Sequence, residues 1–182
     1  LRWDQSSTYP PLGLAYIAAV LEQEGHYVKI IDCQVSNMNE EKIINIIKKE
    51  NPDVIGITSI TTQHKQVLKT VDIAKKASKK SVKIIVGGPH SSLMKDKLMK
   101  LNKNIDFIIK HEGEITILKL LEAIQTGKGY EKVEGILFKK GNTIIETKDR
   151  EFIKNLDQLP LPAIHMLNLK NKGYCGVFRY KR

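Results

Sequence analysis

The sequence predicts an α/β fold built on a doubly wound parallel sheet with helices on both faces. Three observations carry this. Amphipathic stretches alternate with short apolar runs from Pro11 to Gly127. The run "VKIIVGG" (82–88) is hydrophobic on both faces, as central parallel strands require. Gly25 and Gly127 stand where the first and last helical patterns end.

The elements follow in order. Leu14, Ile17, Ala18 and Leu21 share one helical face, so 11–24 reads as an amphipathic helix. "YVKIID" (27–32) reads as a short strand. Residues 39–49 read as a helix capped by Asn39, with acids in its first turn. "DVIGITS" (53–59) is an apolar strand. Residues 63–79 form a helix with Val67, Val71, Ala74 and Ala77 on one side. After the strand at 82–88 come a helix at 91–101, a strand "DFIIK" (106–110) and a helix at 114–126. The pattern then changes. Residues 133–148 read as a small β-hairpin around Lys140-Gly141-Asn142, and the proline-broken "NLDQLPLPAIHML" as an extended linker. Three segments are expected: an α/β ligand-binding domain (1–130), a hairpin extension (131–150) and a linker (151–182). "LRWDQSS" has no β-branched run, so the first strand of the sheet is expected upstream of Leu1, and the start on Leu rather than Met suggests a trimmed fragment.

Composition narrows the class. Of 182 residues, 41% are apolar and 27% charged, an ordinary balance for a soluble globular protein. No apolar stretch approaches the length of a membrane span, and no signal peptide is visible. Thirty Lys and Arg face 20 Asp and Glu, for a net charge of +10. The lysines are dispersed over helix faces and ends, without an Arg-rich stripe or an aromatic ladder, so a solvated surface explains them better than nucleic-acid binding. Cys33 and Cys175 form neither a CxxC nor a zinc pattern, which fits a reduced cytoplasmic protein.

Ligands of open α/β sheets bind beyond the carboxyl ends of the strands. Four loops qualify. Thr8–Gly13 opens the first helix with Tyr9, Pro10, Pro11 and Gly13. Thr58, Ser59, Ile60, Thr61 and Thr62 place four hydroxyls at one strand end, more than helix capping needs. Gly87 and Gly88, followed by Pro89 and His90, let a ligand approach the backbone, although a tight turn alone would also explain them. His111 leads into Glu112, Gly113 and Glu114, whose acids also suit a helix N-terminus. GxGxxG, the phosphate-binding P-loop, GxSxG and HExxH are all absent. A phosphoacceptor domain would want Asp where Thr58 stands. No catalytic constellation and no metal-ligand set emerges, so the chain reads as a binding domain.

Taken together, "YPPLGLAYIAAVLEQEGHYVKIID", "PDVIGITSITT", "IIVGGPH", "FIIKHEGE" and "LDQLPLPA" resemble the N-terminal cobalamin-binding domain of B12-dependent radical SAM enzymes. These are relatives of the anaerobic magnesium-protoporphyrin ester cyclase and of B12-dependent methyltransferases. The resemblance runs from Pro10 to about Leu167 and implies a flavodoxin-like (Rossmann-like) fold. In the wider B12-binding fold DxHxxG is followed by SxL and then GG. Here Thr58-Ser59-Ile60 falls at SxL, and the 26 residues 61–86 set it at the family's distance from Gly87-Gly88. Gly13 matches the glycine of DxHxxG, but Thr8 replaces its Asp and Pro10 its His.

Proline cannot ligate cobalt. The resemblance therefore implies base-off cobalamin with no protein histidine ligand. Its nucleotide tail would pass Thr58–Ile60 and Gly87–Gly88, with Tyr9, Pro10 and Pro11 near the corrin and Glu112–Glu114 at the tail or the corrin rim. No CxxxCxxC is present, so the 4Fe–4S cluster and S-adenosylmethionine would belong to a missing C-terminal radical SAM domain, the expected partner in methyl transfer or related radical chemistry. Two other readings stay open from the residues alone: a flavodoxin-like nucleotide- or sugar-nucleotide-binding domain, and a basic nucleic-acid interaction module.

Overall fold

The computed structural model describes residues 9–34, 36, 38–78, 81–167 and 169. The chain divides into two compact units, Leu1–Asn39 with Leu156–Arg182, and Glu40–Asn155.

In the first unit, helix α1 (Leu12–Gln23) turns its small residues inward, with Ala15, Ala18, Ala19 and Val20 buried. Gly25 ends the helix at φ +79, where its N–H donates to Glu22 O and that of His26 to Leu21 O. A left-handed residue just past the last turn is a recurrent helix stop, and glycine adopts it without steric cost. The expected strand at 27–32 is not a member of the sheet. Its two-residue period is used otherwise: Val28 and Ile30 pack with Met166 on a cluster of Ala18, Ala19 and Ala163. The proline-broken tail is likewise fixed to the helix, by the Ala163 N–H donating to Ala15 O at 3.0 Å.

The second unit is a mixed five-stranded sheet with helices. Its elements are α2 (Glu40–Glu50), β1 (Val54–Thr58), α3 (His64–Ala77), β2 (Lys83–Gly87), α4 (Pro89–Met94), α5 (Asp96–Leu101), β3 (Phe107–Ile109), α6 (Glu114–Thr126), β4 (Ile136–Lys140) and β5 (Thr143–Glu146). The strands lie in the order β1-β2-β3-β4-β5. The first three run parallel, as alternating strands and helices dictate. The hairpin β4–β5 continues the same sheet, with β4 antiparallel to β3. Ile84, Ile85 and Val86 are all buried, as are Phe107, Ile108 and Ile109. Successive strand residues point to opposite faces, so both faces of β2 and β3 are covered. Val67, Val71, Ala74 and Ala77 of α3 are buried as their spacing predicts.

One expected helix, 91–101, is two. Lys95 takes φ +47 between α4 and α5, and neither Gly nor Pro announces the break. Its side chain there reaches Glu146 Oε1 at 2.7 Å, an ion pair with a residue 51 positions away that local patterning does not contain. Pro89, expected in the loop, is the first residue of α4, where its missing N–H costs nothing.

Candidate functional site

The parallel register places Thr58 opposite Gly87, so two carboxyl ends of the sheet finish at the same level. The pairing extends one step further: the Ser59 N–H donates to Gly87 O at 2.8 Å and the His90 N–H to Ser59 O at 3.0 Å. Thr61 Oγ1 lies 3.2 Å from His90 Nδ1. His64 Nδ1 lies 2.9 Å from the Thr61 carbonyl, which can only accept, so that nitrogen carries the proton. The imidazoles of His64 and His90 face each other with centroids 5.5 Å apart.

The third loop joins through Ser92. The His111 N–H donates to Ser92 Oγ at 2.9 Å, and Ser92 Oγ donates to Gly88 O at 3.2 Å. Thus the loops at Thr58–Thr62, Gly87–His90 and His111–Glu114 form one hydrogen-bonded shelf within the second unit. Tyr9, Pro10, Pro11 and Gly13 belong to the first unit, at the start of α1. Tyr9 is half-exposed there.

The two glycines differ in what requires them. Gly88 has φ +95, and a Cβ there would lie 2.9 Å from Ser59 O and from Thr58 Oγ1. It is glycine because the two loops pack that closely. Gly87 has an ordinary φ, and a Cβ would meet nothing within 4 Å. The chain itself therefore does not need glycine at 87, and the space before it is open to a ligand.

Among the described residues, two buried side-chain polar atoms lack a hydrogen-bond partner: Ser59 Oγ and Glu114 Oε2. Ser59 is fully buried. A buried polar atom left unpaired costs about 1–3 kcal/mol, so each requires a reason. Both lie in loops singled out from the sequence. Glu112, by contrast, is engaged: its Oε2 accepts from the Ile153 N–H at 2.7 Å.

Two residues that support the shelf, Ser92 and Lys110, are not among the site residues expected from the sequence. Ser92 looks like any helix serine, and only the fold puts it between two loops. Lys110 closes the expected strand "DFIIK", where nothing in the local pattern marks it as buried. Its side chain is instead 1% exposed and held by Glu146 Oε1, Asp149 Oδ1 and Thr147 O. The Lys110 ammonium beside Asp149 holds that carboxyl below its ordinary range. Hydrogen bonds from Lys95 and then Lys110 do the same for Glu146.

Hydrogen-bonded strand-end loops, an open glycine and an orphaned hydroxyl are what an α/β module presents to a ligand. The family is shown by its sequence: residues 6–121 match the model of the B12 binding domain, and the chain belongs to that family. It is 34% identical over 171 residues to an uncharacterised methyltransferase of Pyrococcus horikoshii, covering 94% of this chain and 37% of that one. It is 28% identical over 169 residues to an anaerobic magnesium-protoporphyrin IX monomethyl ester cyclase of Synechocystis, covering 92% and 34%. The chain thus spans about a third of the length of these curated relatives. Its fold resembles that of OxsB, a cobalamin-dependent S-adenosylmethionine radical enzyme solved with aqua-cobalamin and S-adenosylmethionine. The TM-score is 0.75 at 21% identity, over 88% of this chain and 22% of that one. It also resembles TsrM, a radical S-adenosylmethionine methyltransferase from Kitasatospora setae, with a TM-score of 0.69 at 18% identity over 79% and 28%. No described helix is long and apolar enough to cross a membrane.

Proposed function

We propose that this chain is the cobalamin-holding module of a radical SAM enzyme, and that its strand-end loops bind cobalamin base-off, without a protein histidine on cobalt. The carrying observation is the fully buried, unpartnered hydroxyl of Ser59 beside the unobstructed Gly87. When bound, the cofactor supplies a cobalt centre able to carry a methyl group. The residues do the rest. Ser59 Oγ offers a donor to an acceptor of the ligand, removing its own desolvation penalty. Gly87 gives close backbone approach. Gly88, the Thr61–His90 contact and Ser92 hold the loops in place. Glu114 Oε2 accepts a ligand N–H or O–H. Glu112 is engaged by the Ile153 N–H, which leaves Glu114 as the carboxylate available to a ligand. Pro10 at the start of α1 offers no nitrogen lone pair to a metal, which supports the absence of a histidine ligand.

The parent protein would add a radical SAM domain holding a 4Fe–4S cluster and S-adenosylmethionine, and would catalyse methyl transfer or related radical chemistry. The names of the curated relatives, methyltransferases and a cyclase, support that reading.

The test is to mix the purified chain with hydroxocobalamin, remove free cofactor and record the visible spectrum. A retained base-off spectrum is expected. A retained spectrum with nitrogen on the lower face would overturn the base-off reading and direct attention to His64, whose Nε2 keeps a lone pair in the neutral tautomer. No retention by the chain extended to its full parent length would overturn the cobalamin reading.

A further inference from the structure

Resting on that cofactor reading, we propose that Lys110 is a positioning residue for the site: its buried ammonium locks residues 146–153 onto the turn between β3 and α6 and so sets His111–Glu114. Lys110 is the first residue after β3, and its N–H donates to Gly135 O at 2.8 Å. Its Nζ lies 2.9 Å from Glu146 Oε1 and 3.0 Å from Thr147 O, and pairs with Asp149 Oδ1. A lysine ammonium has three donors, and these three acceptors use all of them. The two residues that follow grip the same strap. His111 packs edge-on to Phe152 with centroids 5.8 Å apart, and Glu112 accepts from the Ile153 N–H. Residues 146–153 thus run alongside the turn and meet each of its first three residues.

The turn needs this support. His111 sits at φ +54, a left-handed conformation that costs a non-glycine residue free energy unless its surroundings impose it. The imposed geometry delivers the His111 N–H to Ser92 and starts α6 at Glu114, the residue with the unpartnered buried oxygen. The Lys110 ammonium bonds to none of the shelf loops. It acts through the backbone of the next four residues.

Truncation is testable because the partners can hydrate: the Glu146 and Asp149 side chains are 39% and 57% exposed. Three variants of the chain serve: Lys110→Met, Lys110→Arg and Asp149→Asn. The last weakens the lock from its exposed side and leaves no buried charge unpaired. Amide hydrogen exchange is read without cofactor. Hydroxocobalamin affinity and the circular dichroism induced in the bound corrin are read with it. In Lys110→Met, exchange across 111–114 should rise about tenfold or more while the β1–β2 ladder is unchanged. Cobalamin should bind about tenfold more weakly with an altered induced signal. Lys110→Arg should restore most of both, and Asp149→Asn should shift both partway.

Unchanged exchange at 111–114 in Asp149→Asn and in any folded Lys110→Met overturns the proposal. So does Lys110→Met binding cobalamin as tightly as the parent chain, with the same induced signal. If the unaltered chain and its full-length parent bind no cobalamin, the cofactor reading has failed and the positioning role with it. That outcome is separate from an intact site that ignores Lys110.

Discussion

Replacing Gly87 and Gly88 one at a time by alanine separates what the loop needs from what a ligand needs. At Gly88 the backbone lies at φ +95 and ψ 176, a region open essentially to glycine alone. Strain there is worth about 1–3 kcal/mol. The new Cβ would also lie 2.9–3.0 Å from the backbone of Ser59 and from Thr58 Oγ1, and relieving an overlap with backbone adds about 1–3 kcal/mol. Gly88→Ala should therefore cost about 2–6 kcal/mol. With a urea slope of about 2 kcal/mol/M, the midpoint should fall by about 1–3 M. At Gly87 no atom lies within 4 Å of the added methyl and φ is ordinary. Gly87→Ala should leave stability unchanged or raise it by about 0.4–1 kcal/mol, because alanine restricts the unfolded chain. Yet it should weaken cobalamin about tenfold or more, by filling the space the ligand occupies. Urea titration and hydroxocobalamin binding on both variants decide the matter. A Gly88→Ala midpoint equal to that of the unaltered chain would refute the close-packing argument. Full affinity in Gly87→Ala would show that the ligand does not pass that backbone.

Ser59→Ala removes a buried hydroxyl with no partner in the chain, so stability should hold or rise by about 1 kcal/mol while cobalamin retention falls; a clear loss of stability would mean that the hydroxyl serves the fold. Burial and the neighbouring Asp32 push the Cys33 thiol up to about 11, so at pH 8 its alkylation should run roughly 20-fold slower than that of a free peptide cysteine; equal rates would show the site to be open. Glu146 and Asp149 are held below their ordinary range. Their contribution is full above the unfolded carboxylate range and is lost as pH falls through their lower folded values. Acid titration of stability should therefore be shallower in Lys110→Arg/Glu146→Gln/Asp149→Asn than in the unaltered chain, and an identical titration would remove the cluster from the acid response.

The parallel half of the sheet was legible because apolar runs alternate with amphipathic helices over whole elements. The placement of the hydroxyl cluster and the glycine pair at neighbouring strand ends was legible because each directly follows an apolar run. What was not legible depends on partners far away in sequence. The strand pattern at 27–32 serves packing on α1, since alternation records a buried face and not what covers it. The break at Lys95 and the burial of Lys110 both follow from Glu146, over 30 residues later. Glu112 and Glu114 look alike in sequence, and only the position of Ile153 shows which is already bonded. Cys175 lies outside the described residues.

The hairpin at the end of the sheet also bears on how the chain finds its fold. Lys140 pairs with Thr143, whereas Val54 pairs with Lys83 and Phe107 with Phe138. Closing a short loop costs least entropy, and hairpins form within about 1–10 μs. β3 has three residues and is held between β2 on one side and β4 on the other. We therefore expect the β4–β5 hairpin to form early and to template β3, so that the sheet assembles from the later sequence toward the earlier. Folding kinetics would show it as a φ-value above about 0.5 for Ile145→Val and one near zero for Ile55→Val. The last-written part of the sheet would then be the first to assemble, and damage to it would reach the ligand loops through the folding rate as well as through stability.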